Sequence, residues 1–246
     1  MFFNSPVIGA TLNYSGILLG AVLGWLGWGA LPVRTEAFFK SGLAAFTAFF
    51  GLQLVWQSLD GTFMAEVKQV LVAVLAVVLG GGLGKLLRLQ QLSNRLGRQA
   101  VGYIAAAQRH PPGGAHDGFL AAMTLFCAAP LGIIGALADG LSDYFPLLAV
   151  KGVMDGLAMA GFARIFRWPF ALAAVPVWLF LQLWTQAAHY LLLPVLNARQ
   201  LTGSVTATAG LLACLVTLVI VGARRVELAG YLPALAVAPL LARLTA

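Results

Sequence analysis

The feature that most constrains this chain is a succession of long apolar stretches, at roughly 5–30, 38–58, 67–87, 118–137, 145–163, 169–192, 204–222 and 228–244. A helix crossing a ~30 Å hydrocarbon core needs about 20 predominantly apolar residues. Each stretch is of that order, the last being the shortest. The runs are continuous rather than alternating, which selects helices over barrel strands. Composition agrees, since 61% of the 246 residues are hydrophobic and 9% are charged, against about 25% charged in a soluble domain. The expectation is an all-α polytopic transmembrane helix bundle of eight spans, or seven if the last does not cross. A soluble enzyme, a nucleic-acid binder and a disordered chain are excluded.

Residues 1–6 carry no charged side chain, and the first apolar run is longer than a signal core, so it is read as a retained span. Cys127 and Cys214 both sit in apolar runs, which does not suggest a disulfide framework. Of the fifteen Lys and Arg, eleven fall after the odd-numbered spans: Arg34, Lys40, Lys85, Arg88, Arg95, Arg98, Arg109, Arg164, Arg167, Arg224 and Arg225. Lys68 and Arg199 occupy the even loops. The positive-inside rule then puts the odd loops in the cytoplasm and the N-terminus outside, in the cytoplasmic (inner) membrane. The net charge of +7 becomes a statement about topology rather than about nucleic acid.

The chain reads as one integral membrane domain with a sign of internal duplication. Leu52-Gln53-Leu54 aligns with Leu181-Gln182-Leu183 at an offset of 129, Gly16 with Gly156 at 140, and Ala129-Pro130-Leu131 with Ala238-Pro239-Leu240 at 109. The last offset shortens by about the length of the extra linker at 88–117. Halves of 1–137 and 138–246, four spans each, would be parallel repeats. Chance similarity among apolar helices is the alternative. In the linker, Leu89, Leu92, Leu96, Ala100, Tyr103 and Ala107 recur every three or four residues among arginines. This is a basic amphipathic interfacial helix, ended by Pro111-Pro112-Gly113-Gly114 and read first as a topology anchor.

Two charges fall inside a span. Lys151 and Asp155 are four apart, on one helical face. Each costs about 2.5–3.5 kcal/mol at the bilayer centre on insertion scales, and intramembrane charges mark ion or substrate pathways. A salt bridge that only fixes packing is the alternative. Asp139-Gly140-Leu141-Ser142-Asp143 leads directly into this helix and could draw cations to an outer mouth; a solvated turn is the plainer reading. Asn13 lies in the same half of the bilayer, followed by Gly16, Gly20 and Gly24 as a close-packing face. Gln53 and Gln182, with Gln57 and Gln186, hold matched places in the two halves. Pro130, Pro233 and Pro239 are potential helix breaks, which point to binding sites in transporters when they match between halves; simple kinks are the alternative.

His110, His116 and His189 are scattered, no metal-ligand spacing occurs, and no phosphate-binding loop is present. No catalytic residue, metal or cofactor is therefore indicated, and an enzyme is not expected. The partners expected are the lipid bilayer, a small ion or metabolite, and a second copy of the chain through glycine-rich helix faces. No nucleic acid is expected.

Cys127, Gly132, Gly135, Asp139-Gly140-Leu141, Leu147-Leu148-Ala149, Lys151 and Asp155-Gly156 resemble the YdfK family. That is a domain-of-unknown-function family of bacterial and archaeal polytopic membrane proteins. Gly9, Thr11 and Asn13 resemble its opening motif, and Leu232-Pro233-Ala234-Leu235 its closing segment. The chain departs from the family at Lys85, where Glu is common, and at Gly230-Tyr231, where Asn is common. The resemblance implies a membrane bundle and, for function, transport with no agreed substrate. The leading expectation is secondary transport or ion permeation through Lys151 and Asp155, with Asp139 at the mouth. The rival is a membrane scaffold or accessory subunit.

Overall fold

The computed structural model describes residues 7–27, 32–109, 115–166, 168–223 and 226–245, without the side chains of 107–109, 115, 164–166 and 168–169. His110, the Pro111–Gly114 breaker, Arg167, Arg224 and Arg225 lie outside the described residues, as do the side chains of Arg109 and Arg164. Among the described residues there is no strand.

Among the described residues, seven helical segments are long and apolar enough to cross a membrane, and the count is eight with the bent helix pair either side of Ala129 taken as one span. In order, α1 is Ile8–Trp25, α2 Val33–Gln57, α3 Phe63–Leu86, α4 Leu89–Arg109, α5 Ala115–Ala128, α6 Pro130–Ser142 and α7 Pro146–Phe166. Then come α8 Ala174–Ala187, α9 Leu193–Asn197, α10 Thr202–Ile220 and α11 Ala234–Thr245. The sixth span opens with a 3-10 stretch, Trp168–Ala173, runs through α8, widens into a π-helical turn at Ala188–Leu192, and finishes as α9. Pro194, which has no N–H to continue the ladder, stands two residues after that widened turn. The last span, Leu228–Thr245, has 18 residues, as many as the first, with a 3-10 turn ahead of α11.

Glycines set the packing, because only they let one helix backbone rest on another. α1 lies beside α7 and runs in the same direction. Gly16 meets the Gly152 carbonyl, Gly20 that of Gly156, and Gly24 that of Ala160. α2 runs antiparallel to α10, pairing Gly51 with Gly210 and Ser58 with Gly203. α3 runs antiparallel to α11, pairing Gly80 with Ala234 and Gly84 with Gly230. Lys68 Nζ donates to the Thr245 carbonyl at the far end of that pair. α6 and α8 run together, with Gly132 against Leu181 and Gly140 against Thr185. The directions alternate from span to span, so every odd span ends at one face of the bundle. Arg34, Lys40, Lys85 and Arg88 collect at that face; Asp60, Asp143 and Arg199 collect at the other.

The interior divides into two apolar clusters. One gathers Leu54, Ile134, Leu147 and Leu212. The other gathers Ile17, Leu148, Phe170 and Leu181. Outside them the surface keeps Phe46, Phe49, Trp56, Leu71, Val78, Leu183 and Leu191 more than half exposed. Apolar cover on that scale is a lipid-facing surface rather than one for water. The linker forms its expected helix, α4, which buries Ala100 and packs against α5 while Arg95 and Arg98 face outward.

Candidate functional site

α7 carries Lys151 and Asp155 one turn apart, and the fold encloses both, at 1% and 7% exposure. Lys151 Nζ donates to Asp155 Oδ2, forming a buried salt bridge. Asn13 Nδ2, from α1, donates to the same oxygen at 2.8 Å. This third contact exists because α1 and α7 have glycines where they cross: a methyl group at Gly152 would stand 2.9 Å from Asn13 Cα. Asn13 is fully buried, and its Oδ1 has no hydrogen-bond partner. A lone buried acceptor of this kind is uncommon and costs on the order of 1–3 kcal/mol.

The wall opposite Lys151 is a broken helix. α5 and α6 meet at Ala129 with a 57° bend. Ala129 has extended backbone, ψ 117°, as the residue before a proline prefers. Pro130 has no N–H, so the Phe126 carbonyl loses its partner four residues on. The break sets the negative end of α5 against the positive end of α6. Gly132, in the first turn of α6, makes room for the lysine: a methyl group there would lie 2.9 Å from Lys151 Cε. Cys127, at the end of α5, lies in the electrostatic field of both Lys151 and Asp155. Sequence inspection gives Pro130 as a kink or a break, and the structure makes it a break. Pro233 precedes α11, and Pro239 sits inside it.

Asp139 stands near the C-terminal end of α6, 2% exposed, and accepts the Gly9 N–H at 3.2 Å. Leu148, fully buried, fills the space between Gly9 and Gly135. It separates Asp139 from the deeper Lys151–Asp155 pair. α6 ends at Asp143 in the left-handed region, φ 52°, where the N–H of Tyr144 returns to the Ala138 carbonyl. The Tyr144 hydroxyl lies 2.8 Å from the Phe50 carbonyl and 3.0 Å from Gln53 Oε1. Burial pushes this phenol up to about 12, so it remains a neutral donor. Gln53 is thus held by Tyr144 rather than brought to the charged pair.

Gln182 lies on α8 with Thr185 and Gln186, one stripe of the helix, and each has a buried oxygen without a partner. Thr185 is fully buried. Its role and that of His189 are not evident in the sequence, although the i, i+3, i+4 spacing with Gln182 is a signal. His189 sits in the π-helical turn with Nδ1 3.2 Å from the Gly140 carbonyl. Extra-residue turns of this type recur at functional sites. The structure therefore brings together Lys151, Asp155 and Asn13, places Asp139 one layer outward, and leaves Gln53 and Gln182 on neighbouring helices.

A cavity of about 1200 Å³ opens between α1, α2, α7 and α10 on the side of Lys40. Its walls are glycines and apolar side chains, with Glu36 and Lys40, joined by a 2.7 Å ion pair, among the lining residues. It extends to Ala129, Pro130 and Leu131 at the helix break, and along the α7 backbone at Gly152 and Gly156. Asp155 and Lys151 point to the other side of α7 and do not line it.

Related chains match this one over nearly its whole length. "Uncharacterized protein YqgA" of Escherichia coli (strain K12) is 30% identical over 245 residues, covering 98% of each chain. "Uncharacterized membrane protein YdfK" of Bacillus subtilis (strain 168) is 22% identical over 236 residues, covering 95% of this chain and 94% of the relative. No solved structure matches the chain. The pattern of the family described as "Protein of unknown function (DUF554)" extends over residues 8–243, the whole bundle with its buried pair and broken span. This multi-pass helical membrane protein belongs to the DUF554 family.

Proposed function

We propose that the chain is a secondary transporter or ion-permeation protein of the cytoplasmic membrane, with its N-terminus outside. The observation that carries this reading is the buried Lys151–Asp155 pair lying against the broken span at Ala129–Pro130. Non-helical backbone at membrane depth is tolerated where it is buried or lines a cavity, and broken helices with exposed dipole ends are how transporters hold ions. The cavity that reaches the break from the Lys40 face supports a vestibule on the cytoplasmic side. Asp139 and Asp143 would then form the external mouth, and Leu148 the layer to be moved aside.

A scaffold role has its own support, since the pair is sealed from the cavity and a salt bridge can serve packing alone. The two readings part on one variant. Lys151→Met with Asp155→Leu replaces a buried ion pair by apolar groups, a change that is often neutral or stabilising. The protein is reconstituted in vesicles, and flux of alkali cations, protons and small metabolites is followed. For a transporter, the double variant folds and its flux disappears. If wild-type flux survives in the double variant, the transport reading of this site is wrong.

A further inference from the structure

We propose that Asp155 and the free Oδ1 of Asn13 form a binding site for a monovalent cation, and that Lys151 is its tethered competitor. This rests on the transport reading and names the substrate class of the same site. Three observations lead to it. Asp155 already holds a singly charged cation, the Lys151 ammonium, on Oδ2. Asn13 is fastened to that same oxygen by its Nδ2, so its amide stands at the carboxylate, yet Oδ1 is fully buried and unpartnered. The lysine has a second place to go. Its Cε lies over Gly132 at the start of α6, beside the end of α5 whose Phe126 carbonyl has lost its helical partner to Pro130.

A carboxylate oxygen and an amide oxygen are hard ligands, of the kind that alkali and ammonium ions accept. No group of three His, Cys, Asp or Glu occurs among the described residues, so the site lacks the anionic ligands a divalent ion would call for. Asp139 is kept one layer away by Leu148. Two positive charges cannot share one carboxylate in a poorly solvated interior. An incoming ion therefore displaces Lys151 toward the α5 end, and the lysine returns when the ion leaves. The site is never left as a bare charge, which is how a buried carboxylate can alternate between loaded and unloaded states. While Lys151 is seated, only a fraction of molecules is competent to bind, and the apparent affinity is reduced by that fraction.

The experiment uses purified full-length protein in detergent, with sodium, potassium and ammonium chlorides compared at equal ionic strength against N-methylglucamine chloride. The readout is the cation-dependent rise in melting temperature. Lys151→Met and Lys151→Gln should bind at least one of the three cations roughly tenfold more tightly than the wild type, the competitor being gone. Asn13→Leu in either background should weaken that binding, and Lys151→Met with Asp155→Asn should abolish it. The proposal is overturned if neither lysine variant gains affinity, if the gain persists without the Asp155 carboxylate, or if neither variant can be recovered folded in any of the three cations. Wild-type flux without the gain in affinity would overturn this inference alone. Flux surviving in the Met/Leu double variant would overturn the transport reading beneath it.

Discussion

Two helix pairs in this bundle are built on the same device and end with different properties. In α1–α7, Gly16, Gly20 and Gly24 face Gly152, Gly156 and Ala160. In α2–α10, Gly51 and Gly210 face each other. Two weak hydrogen bonds cross the α2–α10 contact, Thr217 Oγ1 to the Ala44 carbonyl at 3.4 Å and the Cys214 thiol to the Ala48 carbonyl at 3.9 Å. The α1–α7 contact carries Asn13, Lys151 and Asp155 beside a broken span. Small residues thus explain why helices approach and say nothing of what the approach is for. The chemistry enters with the residues one position off the glycine ridge: Lys151 precedes Gly152, and Asp155 precedes Gly156. The close backbone contact delivers them to Asn13.

The comparison can be broken most forcefully at its tightest point. A side chain at Gly20 would run into the Gly156 carbonyl, with no flexible neighbour to yield. Gly20→Val should lose about 3 kcal/mol or more, the upper range for overpacking. Size-exclusion profiles and thermal unfolding of the purified protein would show it, and a normal profile would deny that α1 and α7 are in backbone contact. Next in size is the functional contrast. Thr217→Val on α10 should leave flux intact. Neutralising both members of the Lys151–Asp155 pair should reduce flux to background, a loss of roughly 100-fold or more. Equal effects at the two sites would erase the distinction between the pairs.

Smaller effects sharpen the picture. At Gly51 a methyl group would lie 2.8 Å from the Gly210 carbonyl oxygen and 3.0 Å from the Cys214 thiol, which can rotate. The backbone oxygen cannot, so Gly51→Ala should cost about 2 kcal/mol, inside the range for overpacking, read as a drop in melting temperature. Tyr144→Phe removes the hydroxyl held by Phe50 and Gln53, and should cost about 1 kcal/mol without changing flux. Gly82, in the interior of α3, has nothing within 4 Å of an added methyl group. Gly82→Ala should be neutral or stabilise by up to ~1 kcal/mol through helix propensity alone.

The membrane bundle was legible because apolar length is a local property, and so was the amphipathic α4. The i, i+4 spacing of Lys151 and Asp155 was legible for the same reason. What lay beyond the sequence depends on register between distant helices. Asn13 reaches Asp155 across 142 positions, and no local pattern encodes that pairing. Gln53 and Gln182 occupy matched positions in sequence, yet one is bound by Tyr144 and the other faces its own surroundings on α8. Pro130 announced a disturbance but not its size, because a proline kinks or breaks a span according to how its neighbours pack. Thr185 carries no local signal of its own, and His189 reads only as one of three scattered histidines. Their meaning comes from an unpaired hydroxyl and a widened turn.

The contact of α1 with α7 has a mechanical corollary. Carbonyls of α7 seated on the glycines of α1 act as teeth in a rack, so sliding one helix along the other would drive each oxygen off its glycine and against the larger side chains between one glycine and the next. The two helices are therefore geared into a single strut that keeps Asn13 and Asp155 at constant separation. On the transport reading, a motion that exposes the site to alternate sides of the membrane would fall to the partners of this strut, with the bend at Ala129 as the pivot of the α5–α6 pair.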